Sequence, residues 1–186
     1  MLTQSLPIAL GIAIATVAIW IWNSQTSFRS QKIADYQNNA PVFDIMRALD
    51  GPMVAEGLIY DFRGRVVSRF VAQMQIDWTG RQGVMSETFS YDTGRTQNRK
   101  WTITMGDGGE FTAIAPDILG IAQGEQAGNA VRLRYRIRLP RDVGGHVLDV
   151  VDWMYLTQND VIMNKSEFRK FGIKVGELIA TFRKLS

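Results

Sequence analysis

Two carboxylates, one histidine and a row of arginines are the residues whose types and spacing could do chemistry in this chain. Glu87 and Asp152 fall in runs whose alternate positions are apolar, so each would be drawn onto the inner face of a strand. Loss of water there raises a carboxyl pKa toward the range useful for proton transfer, which makes the two the candidate acid and base. The commoner role of such a carboxylate is a buried ion pair or a hydrogen bond to Tyr91, Arg99 or backbone. His146 is the only histidine and lies beside Gly144 and Gly145 in an expected turn, and the chain has no cysteine. No Ser-His-Asp arrangement, multi-histidine metal site, thiolate site or disulfide is expected, and no cofactor is implied.

Arg132, Arg134, Arg136 and Arg138 alternate with Val131, Leu133, Tyr135, Ile137 and Leu139. Residues two apart in a strand lie about 6.6 Å apart, so four guanidinium groups form a ladder on one face. Such planar donor forks suit phosphate oxygens. The ladder is the candidate anion-contacting surface, unless it only faces solvent and pairs with Asp149 or Asp152 on the next strand. Nucleic acid is not expected, because no aromatic platform or known motif accompanies the arginines.

The elements that must position these residues are strands. Phe70, Ala72, Met74, Ile76 and Trp78 alternate with polar neighbours, as do Arg99, Trp101, Ile103 and Met105. Turn residues break the chain at Gly64, Gly80, Gly94, Gly106–Gly109, Pro140–Gly145 and Gln158–Asp160. About nine strands with no intervening long helices predict a mainly β, antiparallel meander. Curling to protect its edges would make it an up-and-down barrel or a curved half-barrel, with a two-sheet sandwich as the next choice. Residues 114–129 interrupt the alternation. Gly120, Gly124 and Gly128 there lack the Lys-Ser or Lys-Thr of a phosphate loop, so a strand bend is expected and a nucleotide site is not.

Residues 6–22 form a seventeen-residue run without a charge. A span needs about 20 apolar residues, with about 17 as the lower limit, so the sequence predicts an anchor helix over 1–23, a polar linker over 24–41 and a β domain over 42–186. Arg29 and Lys32 follow the run and no basic residue precedes it, which favours a cytoplasmic domain on a single-pass inner-membrane protein. Net charge is +3, and residues 131–186 carry 11 Lys and Arg against 6 Asp and Glu.

A set of dispersed motifs resembles a known bacterial family. They are Glu56-Gly57 with Asp61-Phe62-Arg63-Gly64, Glu87 to Asp92 with Gly94, Arg99 and Trp101, Ala115 to Gly120 with Gly128-Asn129-Ala130, and Asp152-Trp153-Met154 with Asn164-Lys165 and Lys170-Phe171-Gly172. The family is the domain-of-unknown-function 3833 family. The resemblance spans nearly all of residues 40–186 and implies a lipocalin-like barrel. Many of its members are described as lipoproteins, whereas this chain lacks the cysteine that would be acylated.

A barrel rich in aromatic residues favours binding over reaction. Glu87, Tyr91, Trp101, Asp152 and Trp153 are the candidate ligand-contacting residues. The expected function is non-catalytic capture of a membrane lipid or other small apolar ligand. The alternatives are an enzyme or accessory factor in membrane-lipid modification using Glu87 or Asp152, and a structural subunit bound to a membrane-protein partner.

Overall fold

The computed structural model describes residues 10, 11, 14–18, 21 and 28–185. Ten strands follow in chain order: β1 (Gly51–Asp61), β2 (Val66–Thr79), β3 (Gln82–Tyr91), β4 (Thr96–Met105), β5 (Glu110–Ile114), β6 (Ala122–Ala127), β7 (Ala130–Arg138), β8 (Val147–Leu156), β9 (Ile162–Lys170) and β10 (Ile173–Lys184). Each pairs antiparallel with its sequence neighbours, and β1 pairs with β10 from Met53↔Lys184 to Asp61↔Gly176. The sheet therefore closes as a lipocalin-like, up-and-down barrel, not the half-barrel alternative.

Alternation decides what enters the barrel. On β2, Phe70, Ala72, Met74 and Ile76 are buried while Arg69, Val71, Gln73 and Gln75 are exposed. The strand hardest to see beforehand is β6, inside the irregular 114–129 segment. Its Gly124 lies directly beneath the Phe111 ring of β5, and a Cβ there would collide with that ring. The apolar bulk that would mark the strand is thus supplied by its neighbour.

One end of the barrel is plugged. Asp44 caps the helical turn α1 (Ile45–Ala48) by accepting a hydrogen bond from Met46 N at 3.0 Å. Phe43, Ile45 and Leu49 are buried in the barrel end, and the Trp78 indole N–H donates to Leu49 O at 2.6 Å. Leading into this plug, the 3-10 turns Phe28–Ser30 and Ile33–Tyr36 run as a strap along the outer wall. Tyr36 packs 5.4 Å from the rings of both Trp153 and Tyr155. Gly128 has φ +51°, and a Cβ on it would meet the Tyr36 carbonyl, so this glycine lets the strap lie close to the wall.

The expectation of a single-pass inner-membrane protein does not stand. Most of residues 6–22 lie outside the described residues, and among those described no helix is long and apolar enough to cross a membrane. Spanning requires one uninterrupted apolar helix of about 20 residues. The described residues 10, 11, 14–18 and 21 are helical.

The strap predicts the role of Trp153, which is fully buried between barrel wall and strap. Trp153→Ala should destabilise the protein by about 3–5 kcal/mol, read as a lower urea midpoint with ligand uptake retained by the folded fraction. A near-neutral effect would show that the strap does not hold to the wall.

Candidate functional site

Above the plug the barrel encloses a cavity of about 660 Å³, floored by Ile45 and Leu49. That size falls within the usual range of small-molecule sites, about 300–1,000 Å³. Its walls are mostly apolar, with Phe70, Met74, Phe89, Leu133, Met154 and Leu178 among them. The mouth lies at the other end, between Tyr60, Thr93, Pro140 and Val175. There Arg95 reaches Asp142 at 3.2 Å, joining the β3–β4 turn to the β7–β8 connection.

A polar cluster interrupts the apolar wall. Glu87 of β3 and Arg99 of β4 are directly opposed across the two strands. The segment between β5 and β6 brings Asp117 to Arg99, with Nε to Oδ2 at 2.9 Å. The Arg99 guanidinium lies 4.2 Å from the Trp101 ring centroid, a cation–π contact. From the β7–β9 side come Tyr135, Asp152, Asn164 and Ser166. Ser166 Oγ donates to Asp152 at 2.9 Å, and Asn164 Nδ2 donates to Asp152 and to the Trp153 carbonyl. Two atoms of this cluster stay unmatched: Glu87 Oε2 and Arg99 Nη2 are buried without a hydrogen-bond partner.

Low polarity controls the protonation of this cluster. Burial pushes the Glu87 carboxyl up to about 7, against the lowering influence of Arg99 and of a hydrogen bond from Trp101. Asp152 is raised to about 6 by the same loss of water, although Asn164 and Ser166 stabilise its charged form. The Tyr135 phenol is pushed upward by burial and by the nearby Asp152, so it remains a neutral donor. The arrangement offers one permanent cation, two carboxyl groups that titrate near neutrality and several neutral donors.

Glu87, Tyr91, Trp101 and Asp152 therefore share the cavity. Trp153 does not. It follows Asp152 on β8 and points to the outer face, where the strap covers it. The arginine ladder is also on the outer face, but its four members are unequal. Arg132 is buried and makes a two-pronged contact with Glu125 at 2.7 and 2.8 Å. Arg136 reaches Asp149 at 3.4 Å, while Arg134 and Arg138 are exposed. Asp152 cannot pair with the ladder, because it faces inward opposite Leu133.

Arg99, Tyr135, Asn164 and Ser166 join the site although the sequence did not mark them as ligand contacts. Each is a polar residue in phase with apolar ones on a strand, which is the signal that could have found them. Asp117 had no such signal, since it lies outside the regular strands and only closure brings it to Arg99. Among the described residues no group of three or more His, Asp or Glu is placed to hold a metal ion.

A family model matches residues 23–184. The chain belongs to the DUF3833 family, proteins of unknown function. No curated protein matches it. Two solved structures are similar to this DUF3833 barrel in fold. One is an S-type phycobiliprotein lyase from Guillardia theta, with TM-score 0.58 and 10% identity over 75% of this chain and 90% of that one. The other is a protein of unknown function of the DUF3598 family from Nostoc punctiforme, with TM-score 0.55 and 15% identity. That match covers 78% of this chain and about half, 51%, of the other. Identities this low carry the fold alone.

The raised carboxyls set a pH dependence. The folded values of Glu87 and Asp152, about 7 and about 6, lie above the exposed values of 4.5 and 3.8, so the fold holds protons that the unfolded chain releases. Their contribution to stability is complete below the exposed values and is lost as pH rises through about 6 to 7. Glu87→Gln removes one of the two. Its Tm should gain on wild type by roughly 2–8 °C between about pH 5 and about pH 8. A difference that stays constant with pH would place this carboxyl in water.

Proposed function

We propose that this DUF3833 barrel binds a small amphipathic molecule, with an apolar body in the cavity and an uncharged polar end at Glu87 and Arg99. The observation that carries this reading is the pair of unmatched buried atoms, Glu87 Oε2 and Arg99 Nη2, on the wall of a mostly apolar cavity. A buried polar atom without a partner costs about 1–3 kcal/mol, and a ligand group that both donates and accepts would relieve both atoms. A hydroxyl, an amide or a protonated carboxyl has that property. An anion is a poorer fit, because Asp117 already balances the Arg99 charge. On this reading Asp152, Tyr91 and Trp101 complete the ligand surface, and the membrane lipids of the cell are one source of such molecules.

A second reading, proton-transfer chemistry with Glu87 as acid or base, is favoured by one observation. A carboxyl with a pKa of about 7 is matched to reversible proton transfer near neutral pH. The two readings separate on Glu87→Gln, which would retain binding under both but lose turnover only under the second.

Native mass spectrometry of the purified chain, followed by titration with a fluorescently labelled fatty alcohol, tests the binding reading. One molecule per barrel is expected. Leu133→Trp, which projects a larger ring into the cavity, should weaken uptake. Arg99→Gln should weaken it roughly 10- to 100-fold, the equivalent of a hydrogen bond to a charged group. Empty protein that takes up neither the alcohol nor the matching fatty acid would overturn the reading.

A further inference from the structure

The two ends of the barrel differ in a way that ligand binding alone does not require. At the plugged end the hairpin turns are polar, as in Gly80-Arg81 and Gln158-Asn159-Asp160, and the exposed apolar side chains there, Val42 and Leu185, lie outside the turns. At the mouth, Phe62, Val66, Val67, Val143, Phe171 and Ile173 expose 65%, 48%, 57%, 44%, 90% and 69% of their surface. Contiguous exposed apolar residues mark an interaction surface. Two of these side chains stand at hairpin tips. Because β1 pairs with β10, the β1–β2 turn carrying Phe62 and the β9–β10 turn carrying Phe171 are neighbours on the rim.

Phe171 has φ +52°. Glycine, asparagine or aspartate suits such a tip, and a bulky side chain there is uncommon. At 90% exposure the ring adds almost nothing to packing, so the fold does not account for it. Each aromatic tip has its own cation. The Arg63 guanidinium lies 5.1 Å from the Phe62 centroid and the Lys170 ammonium 5.7 Å from that of Phe171. Among the described residues Arg63, Arg138, Arg141 and Lys170 on this rim meet no carboxylate, whereas Arg65 and Arg69 are held by Asp61 and Asp92.

We propose that the mouth rim docks on an anionic lipid surface, with Phe62 and Phe171 entering the headgroup layer and Arg63, Arg138, Arg141 and Lys170 meeting the phosphates. Apolar tips flanked by cations are what binding at that interface requires. The contact is peripheral and made by loops, and it turns the cavity opening toward the lipid. The orientation rests in part on the ligand-binding reading, since it would let an apolar molecule pass between bilayer and cavity without crossing water.

The chain has no cysteine, so a single one can be introduced at Thr93 beside the mouth or at Gln158 on the plugged end and labelled with a polarity-sensitive fluorophore. The full chain is then mixed with vesicles of phosphatidylglycerol and phosphatidylcholine, or of phosphatidylcholine alone. The label at 93 should shift to the blue on the anionic vesicles only, lose most of that shift in added salt, and lose it in Phe62→Ser/Phe171→Ser. The label at 158 should not shift. No shift at 93, or equal shifts at both positions, would overturn the proposal. Equal shifts would point to attachment through the apolar run before residue 23. Uptake of the labelled fatty alcohol without vesicles is measured on the same proteins. Uptake without a shift at 93 sinks docking alone, whereas a shift at 93 without uptake upholds docking and sinks the ligand reading.

Discussion

Pairing of the first strand with the last is the constraint on which everything else in this molecule depends. An open ten-stranded meander would leave two edges of unpaired backbone groups. The β1–β10 ladder removes both and, in closing, separates an inside from an outside. Once closed, the strict alternation of side chains leaves no choice about what enters the barrel. Glu87 and Arg99 are interior because Met85, Phe89, Trp101 and Ile103 are in phase with them.

That interior carries opposing requirements. Apolar walls favour closure, while Glu87, Arg99, Asp117 and Asp152 lose water by being there. The pair between Arg99 and Asp117, the Trp101 face under the guanidinium, and the Asn164 and Ser166 donors around Asp152 offset much of that loss. The exceptions are one Glu87 oxygen and Arg99 Nη2, which stay unmatched, and the Glu87 carboxyl lies near neutrality. Stability by itself would be served better by an apolar residue of similar size.

The barrel is also polar along its axis. The α1 plug and the strap commit aromatic surface, Phe43, Tyr36 and Trp153, to closing and bracing one end. The mouth leaves Phe62 and Phe171 in water beside cations. Arg132 shows how the same economy governs the outer wall. Held by Glu125 and lying 5.6 Å from the Trp153 ring, it braces the side on which the strap lies.

The sequence by itself determined the strands, their inward faces and the meander, because a period of two and glycine-rich turns are local properties that survive closure. It also determined that Glu87, Tyr91, Trp101 and Asp152 would face inward, since each is in phase with apolar neighbours. Tertiary structure alone decided the rest. The face on which Trp153 lies follows from phase, but its cover is a strap more than a hundred residues earlier in the chain. Whether Arg132 and Arg136 are free depends on register with Glu125 and Asp149. Asp117 reaches Arg99 only because a segment without periodicity folds back on the barrel. An apolar run carries no record of whether it is continued as one spanning helix, and among the described residues no such helix exists. Composition and period record what a residue prefers, whereas its partner is set by pairings between strands far apart in the chain.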